Sequence, residues 1–136
     1  KTIIIGAMML VSSTLSAIAA PSYQKLLYHM DNIQYHIQDD NVPVLTRAFN
    51  LHYDIIAAQP FNDFNKRTAR LIMNWFLIIN GYRPILFNKR TDKADYMKAL
   101  RARAHGDTKT YSHYMYSCML RTQTEIIKRL KKSRSL

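Results

Sequence analysis

The chain has 136 residues, which suits one domain over 1–136 with a single core and no need for disulfides or metals to fold. Its net charge is +11, with 20 lysines and arginines against 9 aspartates and glutamates, a balance that suits an acidic partner, a nucleotide or a nucleic acid. One cysteine excludes an intramolecular disulfide, no Cys/His cluster has zinc-ligand spacing, and no apolar run could span a bilayer, so no membrane partner is predicted.

Residues 1–20 have two interpretations. Lys1, the apolar run over 3–11 and the small residues that follow are typical of a secretory signal peptide. The β-branched residues Ile3, Ile4 and Ile5 indicate instead a β-hairpin, and we prefer to interpret it as a flap, partly because of the family that residues 59–70 resemble. With a flap the protein is expected to be cytoplasmic, and with a signal peptide it would be secreted. The flap edge could bind an extended segment of a protein target through main-chain hydrogen bonds, or the flap could simply cover the helices.

Apolar residues recur at helical spacing along the rest of the chain. The spacing predicts helices over about 22–38, 43–58 and 67–80, and the last of these should stop at Gly81 as a left-handed C-cap. It predicts another helix that Asp92 can cap and that ends at Gly106, and a long one that Asp107 or Thr108 can cap. The 67–80 helix is apolar on nearly every face after its first turn, so other helices should surround it. The sequence therefore predicts an all-α domain of about five helices around a central buried helix, with a helical core over 22–132 and an N-terminal β-hairpin.

The segment that enters the 67–80 helix combines several kinds of chemistry. It reads Gln-Pro-Phe-Asn-Asp-Phe-Asn-Lys-Arg-Thr-Ala-Arg over 59–70, with a carboxylate at Asp63 and cations at Lys66, Arg67 and Arg70. A helix N-terminus offers backbone N–H groups and a positive dipole end, so added cations make an anion pocket suited to phosphates. A lone carboxylate there is most simply a ligand for the Mg²⁺ that accompanies a nucleotide.

This segment resembles the signature of the Fic/Doc family, His-x-Phe-x-Asp/Glu-Gly/Ala-Asn-Gly/Lys-Arg-x-x-Arg. The matching positions are Phe61, Asp63, Asn65, Lys66, Arg67 and Arg70. The resemblance implies a site for ATP or another nucleotide, with Mg²⁺ on Asp63, and transfer of AMP or another phosphate-containing group to a hydroxyl of a protein target. It also implies that Asn65, Lys66 and Arg67 bind phosphates and that Arg70 binds the terminal phosphate.

Two positions depart from the signature. Gln59 stands where the family has its catalytic histidine, and an amide cannot accept a proton near neutral pH, so the general-base step should be missing. Phe64 stands where the family has Gly or Ala, and its ring should crowd the anion nest or divert the loop, unless it packs beside Phe61. His52, two helical turns before Gln59, is predicted to be a core histidine rather than a substitute base.

The leading functional hypothesis is a degenerate Fic-type domain that keeps part of a nucleotide or phosphate site and has little or no transferase activity. The alternatives are an active transferase and a non-catalytic module whose basic surface binds a protein or, less favoured, a nucleic acid.

An inhibitory helix of the family carries Ser/Thr-x-x-x-Glu-Gly/Asn, and its glutamate pairs with the arginine that corresponds to Arg70. The only glutamate in this sequence, Glu125, is followed by Ile126 and does not match. Either a segment upstream of Lys1 or a separate inhibitory protein supplies that glutamate, or a domain without its catalytic base needs no inhibition. The last is the interpretation we prefer, and it predicts that Arg70 is unpaired.

Overall fold

The computed structural model describes residues 20–88 and 92–135, with side chains described from residue 24 onward. The five helices are α1 (Ala20–Gln38), α2 (Val44–Ala58), α3 (Asn65–Ile79), α4 (Lys93–Ala104) and α5 (Thr108–Arg134). These residues contain no strand, so the prediction of an all-α fold with about five helices is confirmed. The predicted flap, with Ile3, Ile4 and Ile5, lies outside the described residues, although Ala20 at its predicted end already belongs to α1.

The chain divides into two compact units, the first ending at Asn80 and the second beginning at Gly81. The first unit contains α1, α2 and α3, and α2 packs extensively against both of the others. We predicted α3 as the central helix, but within this unit the helix with two extensive neighbours is α2. Its fully buried residues include Phe49, Leu51 and Ile55, which supply the apolar surface for both contacts.

α3 is less completely enclosed than its apolar composition predicts. It buries one stripe of side chains, formed by Ala69, Ile72, Met73, Phe76 and Leu77. Leu71, Ile78 and Ile79 are exposed, with 71%, 55% and 48% of their surface accessible. α3 therefore behaves as an amphipathic helix with one face in the core and apolar residues on part of the other.

Buried polar groups connect α1 with α2, which the apolar spacing did not reveal. Asp54 on α2 accepts hydrogen bonds from His29 Nδ1 at 2.8 Å and from His36 Nε2 at 2.7 Å, and the two histidines lie seven residues apart on α1. Arg47, also on α2, is 4% exposed and donates to the backbone carbonyls of His36 and Ile37 at the end of α1. These contacts fix the packing of α1 on α2 through specific partners.

The helix termini follow the predicted signals in two places. α3 ends at Ile79 with Asn80 as its C-cap residue, and Gly81 follows with φ of +86°, the left-handed conformation expected after a helix C-terminus. Asp107 precedes α5, and its Oδ1 accepts a hydrogen bond from the Thr110 backbone N–H at 3.0 Å. Both predictions are confirmed.

The predicted capping role of Asp92 at the start of α4 is wrong. Its side chain makes no capping hydrogen bond to α4. Its Oδ2 instead accepts from the Asn88 backbone N–H at 2.6 Å, and its two oxygens accept from the two terminal nitrogens of Arg121, each at 2.7 Å. A bidentate arginine is a stronger partner than a backbone N–H, which explains why this carboxylate pairs across the second unit with α5 instead of capping its own helix.

Candidate functional site

The loop between α2 and α3 begins and ends with residues in the left-handed backbone conformation. Gln59, the residue after α2, has φ of +46° and ψ of +56°, and its N–H donates to the Ile56 carbonyl at 3.3 Å. Phe64, the residue before α3, has φ of +65° and ψ of +12°. These two reversals turn the chain from the end of α2 into the start of α3, which is the segment that the signature residues occupy.

Asn65 closes this loop with its side-chain amide. Its Oδ1 accepts from the Phe61 backbone N–H at 3.0 Å, and its Nδ2 donates to the Phe61 carbonyl at 2.8 Å. The amide nitrogen carries two hydrogens, so one N–H is left over for another acceptor. The predicted contact between Asn65 and a phosphate stays a prediction, and the structure adds loop closure as a role that the sequence analysis missed.

Asp63 is exposed, and one of its carboxylate oxygens holds the loop backbone. Its Oδ1 accepts from the Phe64 N–H at 2.6 Å. Within residues 20–88 and 92–135, no group of three or more His, Cys, Asp or Glu side chains is arranged to hold a metal ion. A lone exposed carboxylate nevertheless fits a Mg²⁺ ion that takes its other ligands from phosphates and water. The predicted role of Asp63 as the Mg²⁺ ligand is therefore chemically compatible with its position.

The first turn of α3 provides backbone donors and cations together. Helix geometry leaves the N–H groups of the first turn without intrahelical acceptors, and Phe64 supplies no side-chain cap. The Thr68 N–H is the first to bond back, to the Phe64 carbonyl at 2.9 Å. Lys66 and Arg67 in this turn are both exposed. A left-handed residue followed by helical ones also has the backbone form of an anion nest, so this turn can bind a phosphate group.

Phe64 follows neither of the two predicted arrangements in full. Its side chain is 55% exposed, and its ring lies under the guanidinium of Arg67, with 4.9 Å from Cζ to the ring centroid. This contact was not predicted, although residues three apart at a helix start lie on the same face and can meet.

His52 is a core histidine, as predicted. It is 0% exposed, and burial together with the nearby charge of Arg70 lowers its pKa to about 3. The imidazole is therefore neutral at physiological pH, and its burial keeps it from a substrate hydroxyl.

Arg70 lies on α3, one turn beyond the exposed cations. Its exposure is intermediate, and its charge acts on the buried His52. The expectation of an unpaired Arg70 is therefore wrong, because this side chain already has interactions within the described part of the chain. The physical reason is the packing of α3 on α2, which brings residues distant in sequence beside Arg70.

None of the five described helices is both long enough and apolar enough to cross a bilayer.

The signature residues all belong to the α2–α3 loop and the first two turns of α3. The site is thus built within the first unit, from one short segment of chain.

Comparison with known proteins identifies this segment independently. A model of the "Fic/DOC family" matches residues 6–77. The chain is 37% identical over 71 residues to the protein adenylyltransferase Fic of Nematostella vectensis, a match that covers 52% of this chain and 16% of that protein. It is 34% identical over 71 residues to the proteins of the same name from Aedes aegypti and Culex quinquefasciatus, covering 52% of this chain and 14% of each.

The match thus spans about a sixth or less of the length of these curated relatives. The family model, by contrast, covers more than half of this chain, from residue 6 to within two residues of the end of α3. It includes the α2–α3 loop and both left-handed residues that bound it. The chain therefore belongs to the Fic/DOC family.

Proposed function

We propose that this chain is a Fic-type domain that binds a nucleotide or another phosphate-bearing ligand at the start of α3 and transfers little or no AMP. The single observation that carries the proposal is the combination found in one loop. The exposed residues at the N-terminus of α3, which has no side-chain cap, include Asp63, Lys66 and Arg67. Gln59 occupies the position of the family's histidine. Binding groups are retained and the proton acceptor is missing.

The binding half of the proposal rests on complementary charge. The backbone N–H groups of α3 and the cations Lys66 and Arg67 suit phosphate oxygens, and a polyphosphate would bring Mg²⁺ to Asp63. Bound Mg²⁺ would supply neutralisation of phosphate charge. Asn65 contributes by keeping residues 61–65 in one conformation, so that the loop need not be ordered when the ligand binds.

The catalytic half rests on the chemistry of Gln59. Transfer of AMP to a hydroxyl requires that hydroxyl to lose its proton, and a positioned base contributes about 10²–10⁴-fold to such a step. The Gln59 amide can form hydrogen bonds but cannot take up a proton near neutral pH. His52 cannot replace it, because it is fully buried with a lowered pKa. A bound triphosphate should therefore be held without efficient attack.

The names of the relatives support a second candidate, an active transferase. Those proteins are called protein adenylyltransferases, and this chain is 37% and 34% identical to two of them over 71 residues. A Mg²⁺ ion can lower the pKa of a nearby hydroxyl and reduce the need for a base. In this candidate, AMP or another phosphate-containing group would be moved onto a protein hydroxyl despite Gln59.

Calorimetry with ATP and Mg²⁺, paired with a transfer assay using labelled ATP, tests the proposal. We expect the wild type to bind, Asp63→Asn to bind more weakly, and Asp95→Asn, which removes an exposed carboxylate from α4, to match the wild type. Gln59→His should raise transfer of label by about 10²–10⁴-fold. No binding by the folded wild type at millimolar ATP would overturn the leading proposal. Strong wild-type transfer that Asp63→Asn abolishes would establish the second candidate instead.

A further inference from the structure

Phe64 and Arg67 form an exposed cation–π pair at the start of α3. The Arg67 Cζ lies 4.9 Å from the centroid of the Phe64 ring, within the range of a cation–π interaction. Phe64 is 55% exposed, so its ring contributes little to the core. Core packing therefore does not explain why a large aromatic side chain stands at this turn, and another physical reason is needed.

The backbone at Phe64 makes that position more unusual. Its φ of +65° and ψ of +12° belong to the left-handed region, where a bulky side chain is disfavoured. Glycine would relieve this strain, and the family's signature has Gly or Ala here. Strained residues persist where the surrounding structure holds them and concentrate at functional sites, so the observation leads to a question about function.

The geometry of stacking supplies an answer. A guanidinium stacks on a ring through its flat face, and its five N–H donors point outward along its edge. The contact with the Phe64 ring therefore restricts an otherwise exposed, flexible arginine and leaves N–H donors of the guanidinium for a ligand. Arginine loses much side-chain entropy when it is immobilised by a ligand, and a side chain already held in place loses less.

We propose that Phe64 is a positioning residue that holds Arg67 beside the first turn of α3, ready to bind the phosphates of a nucleoside triphosphate through its edge. The inference rests on the proposed function, since it concerns the ligand of the same site. It assigns to Phe64 the opposite effect from crowding: the ring strengthens phosphate binding by acting through Arg67. Lys66, a flexible point charge on the same turn, makes no cation–π contact within residues 24–88 and 92–135 and contributes non-directional attraction.

The test compares ring variants by calorimetry with ATP and Mg²⁺. Phe64→Leu keeps the bulk and the left-handed backbone but removes the aromatic face, and it should weaken binding by about two- to fivefold. Phe64→Tyr restores that face and should bind as the wild type does. Tyr28→Leu, which removes from α1 an aromatic ring that is 64% exposed, is the matched control and should have no effect. Melting temperatures confirm that each variant is folded.

A double-mutant cycle shows whether Phe64 acts through Arg67. Arg67→Ala should weaken ATP binding by about tenfold or more, and Phe64→Leu should add nothing in that background. Phe64→Leu binding ATP as tightly as the wild type, or more tightly, would overturn the inference while the proposed function stands. Equal losses from Phe64→Leu with and without Arg67 would also overturn it. Failure of the wild type to bind ATP would overturn both this inference and the proposed function.

Discussion

Phe64 stands in a backbone conformation that costs a bulky L-residue about 1–2 kcal/mol, and this cost can be measured apart from the stack with Arg67. Phe64→Ala and Phe64→Gly both remove the ring, but only glycine removes the left-handed strain. We expect Phe64→Gly to be more stable than Phe64→Ala by about 1 kcal/mol in urea unfolding. An alanine variant as stable as the glycine variant would show that the loop relaxes to another conformation.

The contacts of single residues could be predicted only where the partner is close in sequence. Asp107 is recognisable as a cap because its acceptor and the Thr110 N–H belong to one turn. The interaction of Arg70 with His52 could not be predicted, since it depends on how α3 packs on α2. The predicted ligand roles of Asp63 and Lys66 stay predictions until a nucleotide is bound.

At the scale of elements, Arg47 joins the end of α1 to α2. Its guanidinium donates to two backbone carbonyls, at 2.8 Å to His36 and 2.6 Å to Ile37, and lies 5.0 Å from the ring centroid of Phe76. Arg47 Nη1 also lies 3.4 Å from Asp40 Oδ1, and the Asp40 side chain is 92% exposed. The two carbonyl bonds are within the protein, whereas the ion pair is open to water.

Because these environments differ, removal of the carbonyl bonds and removal of the ion pair should change the free energy of unfolding by different amounts. Arg47→Met should lower the free energy of unfolding by about 2–4 kcal/mol, because it leaves the buried carbonyls without donors. Asp40→Asn should change it by less than about 0.5 kcal/mol, because exposed ion pairs contribute little. Urea unfolding monitored by circular dichroism measures both. Equal effects of the two substitutions would mean that the ion pair, and not the capping of α1, is the stabilising contact.

The helices themselves could be predicted from spacing, and their contacts could not. Apolar periodicity located α1, α2 and α3 to within a few residues. It did not indicate that α3 would expose Leu71 and Ile78, because periodicity reports which residues are apolar and not how many neighbours a helix has. Buried polar contacts such as those of Arg47 and Asp54 leave even less signal, since charged residues are read as surface positions.

At the scale of the whole molecule, the family match and the candidate site fall in the same compact unit. The matched residues, 6–77, end within α3, and the first unit ends at Asn80. The second unit, with α4 and α5, lies beyond the match and carries its own ion pair between the buried carboxylate of Asp92 and the exposed guanidinium of Arg121. The organisation of 1–136 as one domain stays a prediction. Mutations of the site should therefore be interpreted through the stability of the first unit.

That stability should depend on pH through Asp54. Burial alone would raise the pKa of this carboxyl group, but the hydrogen bonds from His29 and His36 outweigh burial and hold the pKa below its ordinary value. A carboxyl group whose pKa is lower in the folded than in the unfolded chain stabilises the fold above the unfolded value, which is about 3.9. This contribution disappears as the pH falls below that value towards the folded pKa.

Urea unfolding between pH 2 and 7 would reveal this dependence. Asp54→Asn should lower the free energy of unfolding at pH 7 by about 1–3 kcal/mol, because both histidines lose the buried, charged acceptor of their hydrogen bonds. It should also make the loss of stability below about pH 4 shallower than in the wild type. Asp31→Asn, which alters an exposed carboxylate of α1, should leave the wild-type slope nearly intact. If stability falls with pH as steeply in Asp54→Asn as in the wild type, other carboxylates govern acid unfolding. The two histidines would then orient α1 without making its packing sensitive to acid.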